Sequence, residues 1–266
     1  MPHKKREFTL IGYPLSHSFS KKYFTQKFEK ENIPDCEYTL SPLENIKDFP
    51  RLLTSFSNLV GLNVTIPYKE KVIPYLDEIS EEAQAIGAVN TIKIENGQLK
   101  GYNTDVYGFE KSLLSFLQKK QNDTSNQKIT IENALVLGTG GAAKAVVYVL
   151  KKIGIEPILV SRQSGKGDLT YADLDTPIFS ECKLIVNATP LGMSPNLQSH
   201  PNLPYHRLNK DYFLYDLVYN PEKTVFLMLG NSKGAATKNG LEMLHLQAEK
   251  AWKFWTADGG RLTTDG

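Results

Sequence analysis

Short apolar runs that stop at glycine or proline alternate along this chain with longer stretches whose apolar positions recur every three to four residues. Near the start, FTLIGYP is rich in strand formers and closes at Gly12 and Pro14. KKYFTQKFEKEN then sets Phe24 and Phe28 four apart, on one helical face. The alternation returns as CEYTLSP, KDFPRLLTSF and LVGLNVTIP, which predicts a small α/β unit. NTIKI and QLKGYN flank Asn96-Gly97, a dipeptide suited to the positive φ angles of a tight hairpin turn. That hairpin delivers the chain to Thr104 and Asp105.

VYGFEKSLLSFLQKK reads as a helix, and the polar, aperiodic QNDTSNQK after it predicts a surface loop near a domain boundary. NALVLGTGGAAKAVVYVLKKIG gives an apolar strand, a glycine turn and a helix ending at Gly154; IEPILVSR supplies the next strand, completing a βαβ unit. CKLIVNATP and YFLYDLVYNP predict two further buried strands with polar ends, as in parallel sheets that bind ligands beyond their carboxyl ends. LEMLHLQAEKAWKFW places Leu241, Leu244, Ala248, Ala251 and Trp255 near helical spacing, so a docking helix is expected before a frayed TADGGRLTTDG tail.

Composition narrows the partners. With 266 residues, 41% hydrophobic and 23% charged, the chain is an ordinary globular one with room for two modest domains. A formal net charge of +2 without long charged runs gives no reason to expect nucleic acid or an anionic membrane, which leaves small molecules as ligands. Cys36 and Cys182 are far apart and lack metal-site spacing, which fits a reducing cytoplasm. MPHKKREFTLIGYP reaches a glycine and a proline too soon for a signal peptide, and no segment has the roughly 20 apolar residues of a membrane span.

Gly138-Thr139-Gly140-Gly141-Ala142-Ala143 matches G-x-G-x-x-G/A, follows an apolar strand and opens a helix. Gly138 permits the turn, Gly140 lets backbone approach a pyrophosphate, and Ala143 lets helix pack on strand. An NAD site usually carries Asp or Glu at the end of the next strand, where this chain has Ser161-Arg162. Arg162, with Lys166, suits the 2′-phosphate of NADP through charge-assisted hydrogen bonds; the alternative is that both are solvated surface cations.

NVTIPYK is a second candidate site. Strand alternation points Asn63 and Thr65 the same way, and Pro67 ends the ladder, leaving Lys69 to reach over the strand's end. Ser18 and Ser20 after the first strand, Asn90 after AIGAV and Asp105 after the hairpin add polar groups at comparable places. Singly each has a plainer role: the serines as helix caps, Asn90 or Thr104 as turn closers, Gln247 as an exposed helical residue.

Together these motifs resemble the shikimate dehydrogenase family from near the N-terminus to the last helix. The resemblance is carried by GYPLSHSFS, NVTIPYK, GAVNT, GYNTD, GTGGAAKA, NATPLGM, DLVYNP and GLEMLHLQ, in the family's order. It implies an N-terminal α/β substrate domain, residues 1–105 completed by 241–266, and a Rossmann-like NADP-binding domain, 106–240. The last helix returns to the first domain, and the active site lies in the cleft between the two. The resemblance further implies that Ser18, Ser20, Asn63, Thr65, Lys69, Asn90, Asp105 and Gln247 hold substrate hydroxyls and carboxylate, with Tyr219 nearby, and that Lys69 and Asp105 form the catalytic pair. It adds Leu217 and Gly240 to the cofactor residues.

The implied activity is reversible NADPH-dependent reduction of 3-dehydroshikimate to shikimate in aromatic amino acid biosynthesis, by a cytoplasmic monomer or homodimer without a metal. Two departures stand out: Tyr13 where the family often has asparagine, and SRQSGK as a looser version of the family's NRT-x-x-R cofactor segment. The competing expectations are a quinate/shikimate dehydrogenase using NAD and a catalytically silent NADP-binding regulator on the same scaffold.

Overall fold

A computed structural model describes residues 4–15, 18–123 and 130–257, with side chains described except at 120–123; the tail TADGGRLTTDG lies almost wholly outside this range, as does most of QNDTSNQK. The chain divides into two compact units, one holding the described residues up to Thr104 and from Ala248 on, the other Asp105–Gln247.

The first unit is built from β1 (Arg6–Gly12), α1 (Ser20–Lys30), β2 (Cys36–Pro42), α2 (Phe49–Leu53), β3 (Leu59–Val64), β4 (Glu78–Ile79), α3 (Glu81–Ile86), β5 (Thr91–Glu95) and β6 (Gln98–Tyr102). Its strands form one mixed sheet in the order β2-β1-β3-β5-β6-β4. β5 and β6 are antiparallel around Asn96 and Gly97, whose φ angles of 53° and 79° are those the Asn-Gly signal calls for. KDFPRLLTSF does not form one helix: a 3-10 turn over Ile46–Asp48 precedes the short α2, whose first turn contains Pro50. α3 is capped by the Ser80 side chain, which accepts Ala83 N–H, and ends at Gly87 with φ 68°.

Period-two alternation splits this sheet into two apolar faces. Ile11, Leu62, Val64 and Ile92 pack with Phe49, Val72 and Val89 on one side. Phe8, Leu10 and Tyr38 pack with Phe24, Phe28, Ala248, Ala251 and Trp255 on the other. Ala248, Ala251 and Trp255 belong to the last helix, α8 (Leu241–Thr256), so its closing turns complete this core. Trp255 donates its indole N–H to Ile92 O at 2.9 Å, and Lys93 Nζ donates to Ala257 O at 2.7 Å. Lys93 thus places an ammonium at the carbonyl end of the helix, where the macrodipole favours it.

The second unit contains α4 (Thr104–Asp123, its first residue counted with the first unit), β7 (Asn133–Leu137), α5 (Gly141–Lys152), β8 (Glu156–Ser161), β9 (Leu169–Thr170), α6 (Pro177–Glu181), β10 (Leu184–Asn187), β11 (Phe213–Asp216), α7 (Val225–Ser232), β12 (Ala236–Lys238) and the start of α8 (Leu241–Thr256). Its sheet is parallel throughout, in the order β12-β11-β10-β7-β8-β9. Counted from β7, this is the doubly wound 3-2-1-4-5-6 arrangement, which reverses between β7 and β10. A ring of buried side chains including Leu135, Leu137, Val160, Ile185, Leu214 and Phe226 fills its core.

Gly61 tests the packing of the first unit. A Cβ added there would lie 2.8 Å from Trp255 Cγ, and the indole is too rigid and enclosed to yield. Gly61→Ala is therefore expected to destabilise this unit by about 1–3 kcal/mol. Both tryptophans of the chain, Trp252 and Trp255, lie in this unit, so tryptophan fluorescence during urea unfolding reads the effect. An unchanged midpoint would show that Trp255 does not cover Gly61.

Candidate active site

In the first unit the candidate residues gather where β3 and β5 meet the ends of their loops. β3 stops at Val64, one residue before Thr65, so the strand alternation expected to align Asn63 with Thr65 is not available to Thr65. Thr65 N–H instead bonds Ile11 O at 2.9 Å and its carbonyl accepts Tyr68 N–H at 2.9 Å, which turns the chain toward Lys69. Lys69 is half-buried, and its own carbonyl accepts Val89 N–H at 2.7 Å. This bond holds the backbone of Lys69 beside the segment that carries Asn90.

Asn63 and Asn90 are both buried and hydrogen-bonded to protein through both side-chain polar atoms. Asn63 Oδ1 accepts the Tyr38 hydroxyl at 2.7 Å, while Nδ2 donates to Asn90 O at 3.3 Å and to Thr91 Oγ1 at 3.2 Å. Asn90 Oδ1 accepts Thr104 N–H at 2.7 Å and Thr91 Oγ1–H at 3.0 Å, and Nδ2 donates to Thr104 Oγ1 at 3.0 Å. Asn90 therefore satisfies the leading N–H of α4 from outside the helix, a capping role. Thr104, next in the chain to Asp105, is fixed by this bond.

Neither serine supplies a standard cap to α1: the cap position is Phe19, without a side-chain hydrogen bond. Ser18 Oγ accepts Ser20 N–H at 3.3 Å, a partial substitute. Ser20 sits in the first turn, half-buried, with its hydroxyl beside the Tyr38 phenol.

In the second unit Asp105 lies in the first turn of α4 and is buried, while Gln247 and Tyr219 are half-buried. Gly108, about one turn after Asp105, meets α8 so closely that a Cβ there would lie 2.6 Å from Met243 O and 3.1 Å from Gln247 Cβ. The close approach puts Asp105 and Gln247 on helices in direct backbone contact.

The glycine turn occupies the reversal point of the sheet. Gly138 has φ 109°, a region that favours glycine, and an added Cβ would lie 3.1 Å from Thr189 Cγ2 and 3.2 Å from Ala188 O of the loop after β10. Gly140 differs: its Cβ would meet nothing within 4 Å. Gly140 is also the cap of α5, with no side-chain cap bond and no acid in the first turn. With Thr139, Gly141 and Ala142 around it and Ala143 buried, the turn presents a helix N-terminus with room before it, as a dinucleotide pyrophosphate requires.

Beyond β8, Arg162 and Lys166 are exposed cations of one tight loop in which Ser161 Oγ accepts Gln163 N–H. Asp168, the first acid after β8, spends an oxygen on Leu159 N–H at 2.8 Å and so supports the loop backbone. Leu217 and Gly240 meet directly: Leu217 N–H bonds Asn187 O, Gly240 N–H bonds Val218 O, and a Cβ on Gly240 would lie 2.7 Å from the Leu217 carbonyl carbon. Three site-supporting residues had no assigned role from sequence. Asn187 and Asp216 stand inside the quoted NATPLGM and DLVYNP motifs, whereas Tyr38 carries no local signal beyond being an aromatic in a strand.

A parallel sheet in this order with such a turn at its reversal point defines a dinucleotide-binding α/β protein. Residues 10–92 match the model of the shikimate dehydrogenase substrate binding domain. The chain is 38% identical to a shikimate dehydrogenase (NADP(+)) of Halothermothrix orenii over 93% of this chain and 89% of that one. Among solved structures it resembles the Thermus thermophilus shikimate 5-dehydrogenase in complex with NADP(H) and shikimate, with TM-score 0.78, 31% identity, and 94% and 93% of the two chains covered. It also resembles a Corynebacterium glutamicum quinate dehydrogenase in complex with NAD, with TM-score 0.79, 26% identity, and 95% and 94% covered. The chain belongs to the shikimate dehydrogenase family.

Asp216 gives the second unit a pH dependence. Burial pushes its carboxyl up to about 6, against the opposing donors Thr224 Oγ1 at 2.6 Å, Val218 N at 3.0 Å and Asn187 Nδ2 at 2.9 Å. Because the folded value lies above the ordinary carboxylate value, the stability this group contributes is full below about pH 4 and is lost as pH rises through about 6. The loss amounts to roughly 3 kcal/mol. Asp216→Asn can keep both bonds to Oδ1 with Thr224 rotated, so its urea stability should lack that decline between pH 4 and 6.5. Parallel pH profiles for the two proteins would exclude the buried charge as its source.

Proposed function

We propose that this chain catalyses the reversible NADP-dependent interconversion of 3-dehydroshikimate and shikimate, a step of aromatic amino acid biosynthesis. The observation that carries the reading is the retention of Lys69, Asn90 and Asp105 at the ends of structured elements, in a chain 38% identical to a shikimate dehydrogenase (NADP(+)) across most of its length. NADP, when bound, exchanges a hydride with the carbinol carbon of the substrate. Lys69 is the group for the accompanying proton: an ammonium beside the carbinol oxygen donates a hydrogen bond to the developing alkoxide and passes a proton to it.

Asp105, buried in the first turn of α4, orients Lys69 or accepts a substrate hydroxyl. Ser18, Ser20, Asn63, Thr65, Asn90, Tyr219 and Gln247 supply the donors and acceptors suited to the hydroxyls and carboxylate of the substrate. The cofactor reading has Gly138 to Ala143 at the pyrophosphate, Ser161, Arg162 and Lys166 around the 2′-phosphate, and Leu217 and Gly240 along the nicotinamide end. Room before α5 and the two exposed cations after β8 support it. We read the protein as a cytoplasmic enzyme with the domains 1–105 plus 241–266 and 106–240, active as a monomer or homodimer. No helix among the described residues is long and apolar enough to cross a membrane, and no cluster among them suits a metal ion.

Nicotinamide absorbance on mixing the protein with shikimate or quinate and with NADP or NAD tests the reading. Reduction of NADP with shikimate is expected; turnover of quinate with NAD would move the chain to the activity named for the C. glutamicum neighbour, and no turnover would favour a silent regulator. Lys69→Ala should lower kcat by at least about 100-fold while changing the shikimate KM far less, since it removes a contact that strengthens in the transition state. Unchanged kcat would remove Lys69 from the mechanism. Arg162→Ala should raise the KM for NADP about tenfold or more and leave that for NAD nearly unaltered, and equal effects would refute a 2′-phosphate contact.

A further inference from the structure

Tyr38 is buried on the aromatic face of the first sheet, its ring stacked on Phe24 at 4.6 Å between centroids and 13° between planes. A phenylalanine would serve that packing equally well, so the hydroxyl is what packing leaves unexplained. Burying a hydroxyl is costly unless it is bonded, and this one donates to Asn63 Oδ1 at 2.7 Å. Register explains how it reaches. Tyr38 of β2 pairs with Phe8 of β1, which pairs with Gly61 of β3, and Asn63 stands two residues further along β3 on the same face.

The Asn90 carbonyl sets which way the Asn63 carboxamide faces, and the phenol holds Oδ1 in that place. With Oδ1 toward the phenol, Nδ2 donates to Asn90 O and Thr91 Oγ1. Reversing the amide would set Oδ1 against the carbonyl oxygen of Asn90, two acceptors face to face. Asn90 O already accepts Val64 N–H at 2.8 Å, so it cannot turn away without breaking the β3–β5 junction. Both Nδ2 hydrogens are thereby spent, and only a lone pair on Oδ1 remains for a ligand. The Ser20 hydroxyl lies beside the same phenol oxygen.

We propose that Tyr38 is a positioning residue for substrate: its hydroxyl locks the Asn63 carboxamide, so that Asn63 presents an acceptor, suited to a substrate hydroxyl and not to a carboxylate. The inference rests on the functional reading above, and its test separates the two. Tyr38→Phe keeps the ring and removes the bond. It is expected to raise the shikimate KM about tenfold with kcat and the NADP KM changing little, and to lower the thermal midpoint by a few degrees because Asn63 Oδ1 loses its donor. In an Asn63→Ala background the same substitution should add less than about twofold to KM, because its effect passes through Asn63.

An unchanged shikimate KM, a parallel rise in both KM values, or full additivity with Asn63→Ala would overturn the proposal. Should the wild type fail to oxidise shikimate, the functional reading falls, and the role of Tyr38 is then decided by the side-chain NH2 resonances of Asn63 in asparagine-labelled protein. Resonances that shift and exchange faster in Tyr38→Phe uphold the lock, and unmoved resonances refute it.

Discussion

A buried polar side chain must find hydrogen-bond partners, and the ends of both sheets are organised by that requirement. Asn63, Asn90, Asn187 and Asp216 sit at or just beyond strand ends with almost no exposure. Left unpaired, each would cost about 1–3 kcal/mol. Among the described residues no buried side-chain nitrogen or oxygen lacks a partner. The partners come from separate elements: Asn63 joins β2 to the β5 edge, Asn90 holds the start of α4, and Asp216 ties the β10 end and the Thr224 cap to the loop after β11. The strand ends are therefore rigid for the same reason that they are polar, and rigidity at a strand end is what a binding site needs.

The two units solve the problem of ligand approach differently. The first presents side chains: amides and hydroxyls of fixed orientation at the ends of β3 and β5. The second presents backbone. At Gly140 the side chain has been dispensed with, and the helix N-terminus behind it offers N–H groups without a competing acid. A polyol needs donors and acceptors in a specific pattern, while a pyrophosphate needs proximity to several N–H groups at once, so the division matches the proposed ligands.

Elements whose geometry is dictated locally were legible in the sequence. Asn96-Gly97 turned the hairpin because these residues tolerate positive φ, and the β7-turn-α5-β8 unit followed from an apolar run, a glycine cluster and helical spacing. Elements too short to show a period were not. α3 spans six residues, α7 is apolar on nearly all sides, and β12 is three residues with a polar centre. β3 ends at Val64, two residues short of the ladder expected to run up to Pro67, because the Thr65 carbonyl accepts Tyr68 N–H and turns the chain out of the sheet. The candidate residues themselves could be named from motifs, but the Tyr38–Asn63 bond depends on the β2-β1-β3 register, which exists only once the sheet has formed.

The course of the chain through its units has a consequence for biosynthesis. The core of the first unit includes Ala248, Ala251 and Trp255, so its aromatic face, covered by α1 alone, lacks part of its cover until α8 has been made. The second unit, drawn from one continuous stretch, is complete in sequence slightly earlier. During vectorial synthesis the part translated first is therefore the part that finishes folding last, and Phe8, Phe24 and Phe28 must wait for a helix some two hundred residues downstream. A ribosome that stalls or terminates before α8 would release a nascent protein whose Rossmann-like unit has nearly all of its sequence but whose N-terminal sheet is a substrate for chaperones.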